Sequence, residues 1–593
     1  MKNPRRKTKN QKQLAKRSSV VVLKKWITKN RITLIIFFIY LVITLVAVLF
    51  HENWEDEAQA WLTARDCSPI ELFSRMSTEG HFTPWYLILM PFAKLGFPYR
   101  TMNIISWLIT ASSVWLMLKY LPCRFYKRVI LVFTFPMIYL YPAISRCYCL
   151  LPLGTILSIM FYKDRFKKPL RYLFSILIIA NVHTYTFGFA FVIGMEFLVD
   201  WIRQRKTFTK QQNCLIMYGI AGTVVLTVLS CLPLIESVGA SSQAASGLKI
   251  LLYQNPLKEL FVYTPILFFQ WFIGPLPTLA YIAASFLIVW EYFTRRKEFL
   301  KIAFAIVWQW VICCFVFTMI SPQRVVIVIF IILFFVSCRN WRPKEEDVFS
   351  KSAWNVTNIL ANLLFIAFAV WLEIDTGNMN LAFLALFAIL IFTLAVFLHK
   401  KRMNTKERAR KIGQIIAKIA LAFLALLNVW IGVDWVKNEI DKPYSDALAT
   451  AEFINKNLSD DSVFLTVQES SMPFTAIMPN LRSRQNRFYS IRRHDYYTFT
   501  IYLTPNGTNF PVKNVSWSNY CRFGNKLYYV DLSEQYYDDD DIFDSGNLTT
   551  PTTYLENDGL LTKVFDAYEG YSPTEHYAIY EINPDVCMDV DDH

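Results

Sequence analysis

The chain has 593 residues, 54% of them hydrophobic and 16% aromatic, and a formal net charge of +15. That apolar share, gathered into long runs, excludes a purely soluble fold and points to a polytopic membrane protein. The charge is unevenly split: from Asp441 to the end there are 24 acids and 11 bases, a net of −13, so the part before it carries +28. Its bases sit in short clusters between apolar runs, which is a sign of membrane topology and not of nucleic-acid binding.

A bilayer-spanning helix needs roughly 17–25 mostly apolar residues. The sequence predicts thirteen, near 33–50, 101–118, 129–145, 147–162, 171–187, 188–202, 213–233, 275–292, 302–319, 325–338, 355–372, 381–399 and 413–433. Ahead of them, residues 1–32 form a basic segment with twelve bases from Lys2 to Arg31 and no acid. No small-residue cleavage site follows the first apolar run, so this is not read as a removable signal.

Six further basic stretches centre on Lys127-Arg128, Lys167-Lys168, Arg205-Lys206, Arg295-Arg296-Lys297, Arg342-Lys344 and Lys400-Lys401-Arg402. Alternating the spans from a cytoplasmic N-terminus puts all seven stretches inside, and together they hold 41 of the 50 bases before Asp441. Positive-inside bias sets orientation, and an odd number of spans then places the acidic tail outside the cell membrane. The expected architecture is an α-helical bundle over 33–433, with an outer loop at 51–100 and an extracytoplasmic mixed α/β domain at 434–593.

Trp85 to Gly96 is apolar but only about a dozen residues long, which suits an interfacial or re-entrant helix. The outer side then comprises Glu52–Arg100, short turns at Ser145-Arg146, Thr184–Phe187 and Ile320–Arg324, a loop at about Leu234–Thr264, and the tail. Small residues at Ser237–Gly247 fit either a loop that orders over a ligand or a slack connector. Lys249 and Lys258 in that loop read as a solvated face. In the tail, Ser445–Leu458 is predicted helical, with strands at Ser462–Val467, Phe499–Leu503 and Lys526–Val530. The acidic runs Asp538–Asp541 and Asp589–Asp592 lack the spacing of a calcium loop and read as solvated turns. Cys147 and Cys149 are not read as a metal site, and a Cys521–Cys587 disulfide is an open alternative in an external tail.

Ionisable groups at membrane depth are costly and usually face a cavity. Several are expected at outer span ends: Asp56 and Glu57 after the first span, His81 in the same loop, Arg146 in Ile144–Tyr148, His183 and Tyr185 in Asn181–Tyr185, and Arg324 in Ser321–Arg324. A carboxylate able to take a proton, beside arginines and a histidine that match phosphate oxygens, suits displacement of a phosphate leaving group. The bland alternatives are interfacial acids and snorkelling arginines. Arg65-Asp66 reads as a simple loop ion pair, and Glu196, near the inner end, is left out of the site.

The pattern Asp56-Glu57-Ala58 with Ala64-Arg65, Glu79-Gly80-His81 with Trp85-Tyr86, Ser145-Arg146-x-Tyr148 and His183-Thr184-Tyr185 resembles the GT-C superfamily of membrane glycosyltransferases. The nearest resemblance is to bacterial relatives of protein O-mannosyltransferases and of the lipid A aminoarabinose transferase, over about the first 330 residues. It implies a multi-span bundle that binds a polyprenyl-phosphate sugar and transfers the sugar, with inversion, to an envelope glycopolymer, lipid or protein. It assigns catalysis to Asp56 with Glu57 beside it and matches Arg324 to the family's phosphate-side arginine, while the residue chemistry above gives donor phosphate binding to Arg146, Arg324 and His183. Substrate contacts fall to His81, Tyr148 and Tyr185. No essential cofactor is expected, although Asp56 and Glu57 leave room for a divalent metal. The rival readings are a secondary transporter or lipid-linked sugar flippase, whose polar residues tend to lie at the midplane, and a wall-binding scaffold.

Overall fold

The computed structural model describes residues 28, 30–72, 83–183, 186–240, 322–338, 429–430, 432–466, 488–491, 495–496, 519–520, 526–532, 559–570 and 575–584. They form a polytopic helical membrane protein with a C-terminal sheet. Helices α1 (Asn30–Phe50), α4 (Thr101–Tyr120) and the Lys210–Ser230 part of α9 (Lys210–Ala240) are long and apolar enough to cross a bilayer. Between them lie α2 (Glu55–Asp66), α3 (Thr83–Lys94), α5 (Phe125–Val132), α6 (Leu150–Tyr162), α7 (Pro169–Ala180) and α8 (Phe187–Gln204). Helix α10 (Pro322–Cys338) packs against α6. Ile35, Phe38 and Val42 on α1 are exposed, as a lipid-facing stripe would be, while Tyr40 on its other face is fully buried and donates to the Met137 carbonyl at 2.6 Å.

Two expected spans are broken in the middle. The run at 129–145 is helical only to Val132, followed by a π-turn at Pro136–Leu140 and non-helical backbone up to Arg146. Pro136 and Pro142 lack the N–H that a continuous helix needs. The carbonyl freed at Tyr141 accepts from the hydroxyls of Ser106 (2.8 Å) and Thr110 (3.2 Å) on α4, so the unwound stretch is not left unsatisfied. The run at 171–187 stops at Ala180, where Asn181 turns its amide back onto the Leu177 carbonyl at 2.9 Å. Conversely, α9 continues through Ala240, past its expected end at 233. At 31 residues it is about 46 Å long, more than a bilayer core requires. The expected spans at 275–292, 302–319, 355–372 and 381–399, and most of 413–433, lie outside the described residues.

The short apolar helix α3 ends in a Schellman motif. Gly96, at φ +81, donates to the Ala93 carbonyl (3.2 Å), and Phe97 donates to the Phe92 carbonyl (3.1 Å). The rings of Phe92 and Phe97 then meet edge-on with centroids 5.7 Å apart, closing the motif with its usual apolar contact. The chain thereby reverses after twelve residues, too few to cross a bilayer.

In the C-terminal region, helical residues 432–441 (α11) lead into α12 (Ala447–Asn457) and a six-stranded sheet of order β3-β2-β1-β4-β6-β5. Its strands are β1 (Val463–Thr466), β2 (Phe488–Ser490), β3 (Asp495–Tyr496), β4 (Leu527–Leu532), β5 (Leu561–Ala567) and β6 (Tyr577–Ile582). Strand β1 pairs in parallel with β2 and β4, and the outer pairings are antiparallel. The alternation of β1 puts Phe464 on one face, stacked on Phe488 and Tyr528, and Leu465 on the other, with Tyr489, Tyr529 and Tyr580. Helix α12 covers β5, with Phe453 stacked on Phe565 at 4.4 Å. The helix expected at 445–458 and the strands expected at 462–467 and 526–530 are present, whereas 499–503, both acidic runs, Cys521 and Cys587 lie outside the described residues.

A Cβ at Gly96 would meet no atom within 4 Å, so replacing it costs only the left-handed backbone. Gly96→Ala is expected to destabilise the protein by about 1–2 kcal/mol, and Gly96→Asn by less because asparagine tolerates that conformation. Thermal midpoints of the purified protein in detergent give this order, and equal midpoints for all three would contradict it.

Candidate functional site

Helix α2 opens with Glu55, Asp56 and Glu57, three carboxylates where the unpaired N–H groups and dipole of a helix start favour negative charge. Consecutive helical residues point about 100° apart, so neighbouring acids meet different partners. Glu57 is completely buried: Oε2 accepts from the Trp54 N–H at 3.2 Å, closing the first turn, and Oε1 accepts from the Ser145 N–H at 2.5 Å. Asp56 is the accessible one, its side chain 34% exposed and paired with the guanidinium of Arg146, which is 8% exposed. The two acids grouped together in the sequence thus divide: Asp56 meets the arginine, while Glu57 holds the backbone one residue before it.

Arg146 leads into the short 3-10 turn Cys147–Cys149 and lies over the Trp54 ring, 5.9 Å from its centre. Tyr86 of α3 is within electrostatic reach of it. Two residues on, buried Tyr148 stacks on buried His183, with ring centroids 5.2 Å apart and planes 19° apart. His183 stands where α7 has unwound, in a turn organised by Thr186. The Thr186 hydroxyl donates to the carbonyls of Ile179 and His183 and accepts from the His183 N–H at 3.3 Å. Asp56, Arg146, Tyr148 and His183, drawn from three separate stretches of sequence, are therefore linked contact by contact.

Arg324 lies in the first turn of α10. Phe330 of that helix meets Tyr141 (5.8 Å), and Phe334 meets Tyr162 (5.8 Å) at the other end of α6. The helix therefore runs away from the Arg146 loop, and its Arg324 backbone sits about 9 Å beyond Phe330 on the Tyr141 side. His81 and Tyr185 lie outside the described residues. Among the described residues, no group of three or more His, Cys, Asp or Glu could hold a metal ion.

Arg65 and Asp66 do form a two-pronged pair, at 2.6 and 2.7 Å. Far from the site, buried Glu196 accepts from the Tyr162 hydroxyl at 3.3 Å, beside an Arg165–Asp200 pair of 3.1 Å.

Sequence reasoning missed the groups that the C-terminal region brings to α2. Glu575 Oε1 accepts from the Glu55 N–H at 3.0 Å, satisfying one of the unpaired donors of the helix start, while Ser445 and Tyr577 donate to its other oxygen. Tyr444 meets Trp54 edge-on at 6.0 Å. His51, at the end of α1, touches Glu57 of α2 and Glu439 of α11. Nothing in the linear spacing joins residues about 390 or 520 positions apart, so no local signal could have revealed these contacts.

Burial raises the Glu575 carboxyl to about 7, against the lowering effect of its donors Tyr577, Glu55 and Ser445. Glu52 is likewise raised to about 7 by burial, with Arg100 and His51 opposing and Asp446 and Glu439 adding to the rise. A carboxyl raised in the folded state stabilises it below the ordinary carboxyl value, and that contribution is lost as pH climbs to about 7. The thermal midpoint is therefore expected to fall between pH 5 and pH 8. Glu575→Gln, which keeps an acceptor for the Glu55 N–H and removes the charge, should reduce that fall. A variant whose pH profile superimposes on the wild type would contradict the assignment.

No protein-family model matches the sequence, and no curated protein matches it. Two solved structures are similar in shape. One is the crystal structure of ArnT from Cupriavidus metallidurans bound to undecaprenyl phosphate, at 13% identity and a TM-score of 0.46, covering 94% of this chain and 99% of that one. The other is the same protein in its apo state, at 14% identity and a TM-score of 0.45 over the same shares. At that level of likeness neither structure identifies this chain.

Proposed function

We propose that the chain is a membrane glycosyltransferase that moves a sugar from a polyprenyl-phosphate carrier to an envelope acceptor at the outer face of the cell membrane. The observation that carries this reading is the half-exposed carboxylate of Asp56 facing the buried guanidinium of Arg146 at an end of the helical bundle. A buried arginine beside an accessible carboxylate supplies both groups that phosphate displacement needs.

The acceptor oxygen or nitrogen attacks the anomeric carbon from the side opposite the phosphate, and the bond from that carbon to the phosphate oxygen breaks. The acceptor's proton passes to Asp56, and the carrier phosphate leaves with the bonding electrons and one more negative charge. Phosphate binding at Arg146 would compete for its guanidinium and release Asp56 to act as the base. Arg146, whose side chain is 8% exposed, then neutralises the leaving phosphate, and an oriented donor of this kind is typically worth on the order of 100-fold or more in rate.

Tyr148 and His183 fit the sugar-phosphate side, with Arg324, His81 and Tyr185 assigned there by the sequence pattern. Glu57 is a positioning residue in this scheme, since its oxygens are occupied by Trp54, Ser145 and His51. Transfer needs no metal in this scheme, because the guanidinium supplies the positive charge. The orientation follows from the basic clusters, which put α2 on the side away from the cytosol.

Purified protein with radiolabelled polyprenyl-phosphate sugars and cell-envelope acceptors tests the reading. Transfer is expected from at least one donor, unaffected by chelator. Asp56→Asn should lower kcat by about 100-fold or more, and Arg146→Ala should lower kcat and weaken donor binding together. Full transfer by both variants would overturn the site. Donor movement across vesicles without covalent transfer would favour a flippase instead.

A further inference from the structure

Three side chains of the C-terminal domain, which takes no part in the transfer proposed above, reach the start of α2 and the end of α1 just before it. Glu575 caps the Glu55 N–H, Tyr444 packs on the Trp54 ring that also lies against Arg146, and Glu439 reaches His51. We propose that His51 is a positioning residue for the transfer proposed above: clamped between Glu57 of α2 and Glu439 of α11, it makes the presentation of Asp56 to Arg146 depend on the docked C-terminal domain.

The geometry is a buried bridge. His51 Nε2 lies 3.0 Å from Glu57 Oε2 and Nδ1 lies 2.9 Å from Glu439 Oε1, and all three side chains are 0% exposed. A neutral imidazole has one N–H to give, whereas two carboxylates each need a donor, so only the protonated ring satisfies both. Burial pushes the ring's pKa down, but the charges of Glu439 and Glu57 and their hydrogen bonds outweigh it and raise it to about 10. The Tyr139 hydroxyl supplies a further donor to Glu439 Oε1, and the Tyr444 ring sits 5.6 Å from the imidazole. The charged groups facing His51 are thus Glu57 from α2, Glu439 from α11 and the adjacent Glu52, which itself feels Asp446 and Arg100.

The bridge bears on chemistry because of where Glu57 leads. Its other oxygen holds the Ser145 N–H, next to Arg146, and its own backbone follows Asp56. Moving Glu57 would displace both members of the Asp56–Arg146 pair at once. A cation between two fully buried carboxylates fixes that position as neither carboxylate could alone.

The test uses the full-length protein in nanodiscs, assayed for steady-state transfer between about pH 5.5 and about pH 9. His51→Gln removes the cation and leaves two facing carboxylates. It is expected to lower kcat by about 10-fold or more at pH 7, the scale on which a small misplacement of a catalytic group is felt, and to raise donor KM, because Arg146 is displaced together with Asp56. Its activity should recover toward acid pH, where a proton on either carboxylate replaces the lost charge. The double variant His51→Gln/Glu439→Gln removes one charge of each sign and should regain most of the lost kcat. Should His51→Gln not fold, Glu439→Gln alone is read for the same fall in kcat and rise in donor KM.

A wild-type kcat and pH profile in folded His51→Gln would overturn the inference, as would losses in the double variant equal to the two single losses combined. Asp56→Asn in the same assay separates the two levels of the argument. If wild type is active and Asp56→Asn is not, while His51→Gln is unaffected, only the positioning role fails. If wild type transfers nothing from any donor, both fail.

Discussion

The Asp56–Arg146 pair is the contact on which the rest of the site turns. A guanidinium with only 8% of its side chain exposed cannot be left without a counter-charge, because an unpaired buried ion costs several kcal/mol. Asp56 supplies that counter-charge, and the backbone around it is arranged to keep it there. The start of α2 tolerates three successive acids because its free N–H groups and dipole favour them. Glu57 uses its full complement of bonds to tie that start to the arginine loop, leaving Asp56 the accessible member.

The broken helices serve the same end. A continuous helix through 129–145 would hold residue 146 in regular helical backbone. Instead the chain unwinds after Val132, and hydroxyls on α4 satisfy the freed Tyr141 carbonyl. Irregular backbone at membrane depth is tolerated only where protein or a cavity replaces the missing hydrogen bonds. The second break, at Asn181 to Thr186, places His183 under Tyr148. Two interruptions of otherwise apolar spans thus bring polar groups together at one end of the bundle.

The sequence made some of this legible and not the rest. Long apolar runs and clustered bases marked the helical bundle, and the short apolar run Ser462–Val467 marked a strand. Asp56, Glu57, His81, Arg146, His183, Tyr185 and Arg324 stood out at span ends because ionisable groups next to apolar runs are rarely incidental, and the structure links Asp56, Arg146 and His183 through Tyr148. What could not be read was direction within a turn: Asp56 and Glu57 look equivalent on the page, and only the fold shows one buried and the other open. Nor could spacing foretell that Glu439 and Glu575, hundreds of residues away, would complete the start of α2. The breaks in the 129–145 and 171–187 runs were hidden because hydropathy averages over a window and does not register where a helix unwinds.

In the proposed reaction a lipid-linked phosphate and Asp56 compete for the same guanidinium. Binding of undecaprenyl phosphate to the purified protein in nanodiscs measures that competition without requiring the sugar or the acceptor to be known. Binding is expected to be tighter to Asp56→Asn than to the wild type, since the arginine is released, and weaker to Arg146→Gln. Equal affinity in all three proteins would contradict it.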